Sequence, residues 1–195
     1  MKPNGSRYHP LVIGTHWLTL ALLIAVYATI ELRGAFPKGS DGRELMKTWH
    51  FMLGLMVFGV VLIRLPLRLA VAAPPITPAP SAWQHAAATA MHWALYGLLI
   101  ALPVLGWLTL SAKGKPIPFF GLELPALIAP DRSLAKELEG IHELFGTLGY
   151  WLIGLHAAAA LFHHHFLRDD TLRRMSPAGF SSRKAAEYKR LPDLG

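Results

Sequence analysis

Four apolar stretches, at approximately 11–30, 49–69, 86–110 and 141–167, dominate the chain. Each is long enough to cross a hydrocarbon core of about 30 Å, which takes roughly 20 helical residues. Between them lie GAFPKGSDGR, AAPPITPAPS and KGKPIPFFGLELP, rich in the Pro and Gly that interrupt helices. In 195 residues, 53% of them hydrophobic and 16% charged, this pattern excludes an ordinary soluble domain. The expected fold is all-α, an integral membrane four-helix bundle over residues 1–175, followed by a basic, flexible tail over 176–195. Pro66 and Pro103 fall inside the second and third spans and are expected to bend or end their helices locally. The polar DRSLAKELE run, with Ser133 and Glu137, is expected to start a helix before the fourth span. The first span is long, lacks an Ala-x-Ala site and contains His16, so it reads as a retained helix, not a cleaved signal peptide.

Charge sets the expected orientation. If the four helices alternate, the side carrying both termini holds eleven bases against four acids, and the opposite side eight of each. The whole net charge of +7 then lies on one face. The positive-inside rule puts that face, with both termini, in the cytoplasm. The same asymmetry accounts for the basic character without a nucleic-acid partner.

Cysteine is absent, which excludes thiolate metal sites, iron–sulfur clusters and covalent c-type haem. Ten histidines remain, more than packing requires in so apolar a chain. Four can be placed by depth: His16 early in the first helix on the inner half, His50 opening the second on the outer half, and His142 and His156 in the fourth. His142 opens that helix outside; His156, fourteen residues on, is about 21 Å deeper and within about 40° of the same face. His50 matches His142 in depth, and His16 matches His156.

An imidazole inside a bilayer is costly unless its nitrogens are satisfied, so such residues point to function. A lone membrane histidine is more often a hydrogen-bonding residue than a ligand. Two depth-matched pairs instead suit two non-covalent, b-type haems, each with two axial nitrogens. Zinc would need three or four ligands converging at one depth. Gly54 and Gly146 follow His50 and His142 by one turn, leaving room for a macrocycle or, equally, for close helix packing. His92 faces the inner half, as a propionate or quinone contact or a structural residue. His163 lies seven residues after His156, on nearly the same face and about 10 Å nearer the cytoplasm. His164 and His165 are expected at the lipid headgroups.

The segments IGTHWLTLALLIAVYATIELRGAFP, KTWHFMLG, PPITPAP and HELFGTLGYWLIGLHAAAALFHHHFLRDDTLRRM resemble bacterial cytochrome b561, over roughly residues 7 to 177. The resemblance implies a di-haem protein of the inner membrane, with iron ligands at His16, His50, His142 and His156. It also implies a superoxide:ubiquinone oxidoreductase. Superoxide would give electrons on the outer side and release oxygen, and ubiquinone would become ubiquinol on the inner side. Quinone contact then falls on His163, with Arg64, Arg68 and His92 as further candidates for quinone or propionate. Arg33 and Lys47, with Lys38, Arg43, Lys113 and Lys115, are candidates to steer the anion, although the outer face sums to zero charge. The competing readings are a cytochrome b subunit anchoring a membrane dehydrogenase or hydrogenase, and a non-redox transporter.

Overall fold

The computed structural model describes residues 7–177. Among them, four long helices carry the fold: α1 (Pro10–Leu32), α2 (Asp41–Ala70), α3 (Ala82–Ala112) and α4 (Arg132–Phe162). All four are long and apolar enough to cross a membrane. A short antiparallel hairpin, β1 (Ile117–Phe119) with β2 (Leu122–Leu124), lies between α3 and α4 and pairs Ile117 with Leu124. A π-helical turn, His163–Leu167, ends α4 and leads to the short α5 (Thr171–Met175). The expected tail falls, from residue 178 onward, outside the described residues.

Polar residues fix where the helices begin. Pro10 occupies the first turn of α1, where its missing N–H costs nothing. Ser40 caps α2, accepting from the Arg43 N–H at 3.4 Å, and Asp41 and Glu44 sit in the first turn, against the positive end of the helix dipole. Ser81 and Gln84 form a capping box on α3, the Ser81 N–H donating to Gln84 Oε1 at 2.9 Å. Asp131 caps α4, accepting from Ser133 N at 2.8 Å and Leu134 N at 3.1 Å.

These caps place the starts of α2 and α4 outside the apolar stretches. His50 and His142 accordingly lie more than two turns inside their helices and do not open them. Both α2 and α3 continue through Pro66 and Pro103. Neither proline ends its helix, because a bundle supplies other partners for the carbonyl each one frees.

The tightest packing is where α1, α2 and α3 meet, around Leu22, Val57, Val61 and Leu99. Neighbouring backbones approach closely from α1 to α2, α2 to α3 and α3 to α4, whereas α4 stands off from α1 and α2 among the described residues. Large apolar side chains point outward along the spans, Trp151 at 76% exposure and Phe166 at 75%. In water such a surface would drive association, whereas lipid is its natural solvent. The molecule is a four-helix membrane bundle.

Both ends of the described chain meet at one end of the bundle. Tyr8 N donates to Arg174 O at 3.1 Å, Trp17 Nε1 donates to Met175 O at 2.8 Å, and the Arg7 guanidinium donates to Ser176 O. Four crossings return the chain to the side from which it started.

Candidate functional site

The gap between α4 and its diagonal neighbours is where the histidines meet. His50 of α2 faces His142 of α4 with ring centres 6.2 Å apart and planes at 79°. His16 of α1 faces His156 of α4 at 6.3 Å and 71°. An imidazole nitrogen bonds a metal at about 2 Å and lies about 1 Å from its ring centre. Two imidazoles on opposite sides of one iron therefore place their centres about 6 Å apart. Edge-on ring contacts such as His50 with Phe51, at 6.1 Å, fall in the same range, so it is the recurrence of paired imidazoles at two depths that supports the reading.

The outer pair is fixed from behind. His50 Nδ1–H donates to Val26 O at 3.1 Å and His142 Nδ1–H to Leu102 O at 3.0 Å. A carbonyl only accepts, so each Nδ1 carries the proton and each Nε2 keeps a lone pair for a metal. A cavity lies between the rings, lined also by Gly54, Gly146, Leu102 and Pro103. A Cβ at Gly54 or Gly146 would meet nothing within 4 Å, so both glycines border open space, while the Gly146 carbonyl accepts from Tyr27 Oη of α1 at 2.9 Å. Gly106, which carries no signal in the sequence, has the opposite role: a Cβ there would come within 3.4 Å of His142 Cε1.

The inner pair is held differently. His16 Nδ1 is buried without a partner, so no second hydrogen bond fixes its ring. His92 approaches His156 at 5.5 Å between ring centres, closer than an iron between them would leave room for. It is a neighbour of the inner pair and not a substitute for His16. Arg64 reaches over the Tyr96 ring at 5.8 Å, its Nε buried and unpartnered, and its charge acts on both His16 and His156. A buried guanidinium with spare donors suits an anionic group such as a propionate. Arg68 stacks instead on Tyr8, 5.5 Å from its ring centre, at the end of the bundle. At the outer level the paired imidazoles with free Nε2 atoms and glycine-lined space, and at the inner level the paired imidazoles with the Arg64 guanidinium, fit a haem.

Beyond the inner pair stands His163, at the start of the π turn. Its Nδ1–H donates to Asp169 Oδ2 at 2.5 Å. Burial alone would push the Asp169 carboxyl up, but hydrogen bonds from His163 and Thr171 outweigh it and hold the carboxyl below its usual range. Nothing in the sequence pairs these two residues. They meet because Arg168, at φ 55°, turns the chain back through the left-handed region.

At the outer end the candidate steering bases are partly engaged. Lys47 pairs with Glu44 at 2.5 Å and Lys113 with Glu139 at 2.5 Å. The Arg43 guanidinium donates to the carbonyls of Arg33 and Phe36 at 3.1 and 3.2 Å, so Arg33 takes part through its backbone. The Arg33 charge reaches His50 of the outer pair, whereas that of Lys47 faces Glu44.

The class defined by this arrangement is a multi-pass membrane protein with histidine pairs at two depths inside a helical bundle. The family model described as prokaryotic cytochrome b561 matches residues 7–178. Cytochrome b561 homolog 1 of Escherichia coli (strain K12) is 40% identical over 172 residues, covering 88% of this chain and 98% of the relative. A Yersinia pestis protein named "Probable superoxide oxidase CybB" is also 40% identical over 172 residues, covering 88% and 97%. Cytochrome b561 homolog 2 of Escherichia coli is 29% identical over 178 residues, covering 87% and 91%. The chain belongs to the prokaryotic cytochrome b561 family, whose members are membrane electron carriers that bind b-type haem.

Proposed function

We propose that this protein is a superoxide:ubiquinone oxidoreductase of the bacterial inner membrane, with both termini in the cytoplasm. It would hold two b-type haems, the outer between His50 and His142 and the inner between His16 and His156. The observation that carries this reading is the pair of ring separations, 6.2 and 6.3 Å, at two levels of one bundle. The Yersinia relative's name supports the choice of superoxide as donor. The haems supply one-electron carriers stacked across the membrane; the chain does the rest.

The protein's share of the work is positioning. Val26 and Leu102 hold the outer imidazoles in the tautomer that presents Nε2. Fourteen residues of α4 set the two levels about 21 Å apart along the helix. Arg64 offers an inner anionic group its guanidinium, and His163 offers a quinone carbonyl a donor at the cytoplasmic end. The balance is two superoxides oxidised to two oxygens, with one ubiquinone taking two electrons and two protons.

The test is purified, haem-loaded protein given superoxide and ubiquinone-1 with no other protein present. The expected result is catalytic formation of ubiquinol-1. Inertness until a dehydrogenase or hydrogenase partner is added would instead identify an electron-carrying anchor subunit.

A further inference from the structure

Asp169 is a carboxylate that the redox reading leaves unused, yet it is among the most buried polar residues described, at 3% exposure. One oxygen accepts from His163 Nδ1 at 2.5 Å and the other from Thr171 N at 2.9 Å. Its own N–H donates back to His163 O at 3.2 Å. The surrounding turn is anchored from a second direction. Thr77 N donates to Asp170 Oδ1 at 2.9 Å, Asp170 N donates to Thr77 O at 3.2 Å, and the Arg174 guanidinium donates to Pro74 O. The helix reaches this point by widening into a π turn, a distortion that recurs at functional sites, and then by placing the non-glycine Arg168 at φ 55°. A helix with no further purpose could end in an ordinary cap. This ending instead brings one carboxylate onto one imidazole nitrogen and locks both.

We propose that Asp169 is the positioning residue for His163: it keeps the proton on Nδ1, leaves Nε2 as the atom that meets the quinone, and balances the imidazolium that delivers a proton there. This rests on the reading that ubiquinone is reduced beside His163. In the step, the Nε2–H bond of the imidazolium breaks and an O–H bond forms on one quinone carbonyl oxygen, as the quinone takes up electrons that entered from superoxide. The imidazole is left neutral, its Nδ1–H still on Asp169, and Nε2 regains a proton from cytoplasmic water. The second quinone oxygen takes its proton from the same aqueous phase, which completes two electrons and two protons for each quinol. A carboxylate behind an imidazole does this by fixing the tautomer and opposing the charge that forms, without itself taking the proton.

Asp169→Asn separates this role from a structural one, because the amide oxygen still accepts from either His163 or Thr171 and the shape is unchanged. Haem-loaded protein is reduced with dithionite and mixed with ubiquinone-1, and haem reoxidation is followed by absorbance. Asp169→Asn should slow reoxidation at saturating quinone about a hundredfold, the range for one lost acid–base group. The half-saturating quinone concentration, haem spectra and melting temperature should stay near wild type, and Asp169→Glu should recover much of the rate. Wild-type kinetics in Asp169→Asn, with His163→Ala slow, would overturn this proposal and leave the quinone site standing. Wild-type kinetics in both would remove the quinone site and this proposal with it. A slow Asp169→Asn that also loses haem or melts early, or that Asp169→Glu does not restore, would make Asp169 structural only and overturn the proposal.

Discussion

His50 and His142 each give one ring N–H to a main-chain carbonyl, and that single bond decides which nitrogen would be left for iron. Removal of either ring should therefore delete the outer haem and spare the inner, and removal of His16 or His156 should do the reverse. Haem content and reduced-minus-oxidised spectra of the four alanine variants check this, and an outer substitution that abolished only the inner haem would contradict it. Asp169 allows a prediction about acid. Its carboxyl is held below the usual range in the folded protein, so the stability it contributes is complete above the unfolded value of about 3.9. That contribution is lost as pH falls through the lower folded value. The wild-type melting temperature should therefore hold from neutral pH down to about 4 and fall below it, and Asp169→Asn, with no carboxyl there to protonate, should lack this part of the fall. At this scale the sequence is a strong guide to the four paired histidines, because depth and helical phase follow from counting. It is silent on Asp169, whose partner depends on a π turn and a left-handed Arg168 that no periodicity announces.

The four helices follow from apolar length, but their starts do not. Hydropathy stops where charge begins, whereas Ser40 and Asp131 extend α2 and α4 well into polar sequence through backbone hydrogen bonds. The stand-off of α4 is likewise invisible in the sequence, since small residues such as Gly54 and Gly146 are as consistent with close packing as with clearance. The open space beside Gly54 gives a direct test. Gly54→Leu should fold with the apoprotein's melting temperature little changed, because its side chain meets no protein atom at Cβ. It should nevertheless lose the outer haem and keep the inner. Retention of both haems would show that the space serves another purpose. The hairpin of β1 and β2, in a stretch that reads simply as loop, is tied to α2 by Trp49 against Phe120 and by the Phe120 N–H to Met52 Sδ at 3.3 Å.

Across the whole molecule the two levels differ in a way that would give electrons a direction on the proposed reading. Two Nδ1–H bonds to carbonyls make the outer imidazoles stronger donors, which would favour oxidised iron held between them. At the inner level His16 lacks that bond, and the Arg64 charge nearby favours the reduced form. A potentiometric titration should find the inner haem at the higher potential, and Arg64→Gln should lower the inner potential while leaving the outer one in place. Attraction of superoxide should owe little to Lys47, whose charge already faces Glu44, so Lys47→Ala should leave the superoxide-driven rate nearly unchanged. Orientation was readable as an expectation from the unequal distribution of basic residues. Contacts such as Trp17 with Met175 bring the two ends of the described residues to one end of the bundle, as four alternating helices require. On the proposed reading one bundle holds two haems, each between one imidazole of α4 and one from another helix. Haem per chain, counted in purified wild type and in the paired variant His50→Ala with His142→Ala, tests it most directly. Two haems falling to one is the predicted result, and a single haem in the wild type, or none in the variant with the fold intact, would contradict it.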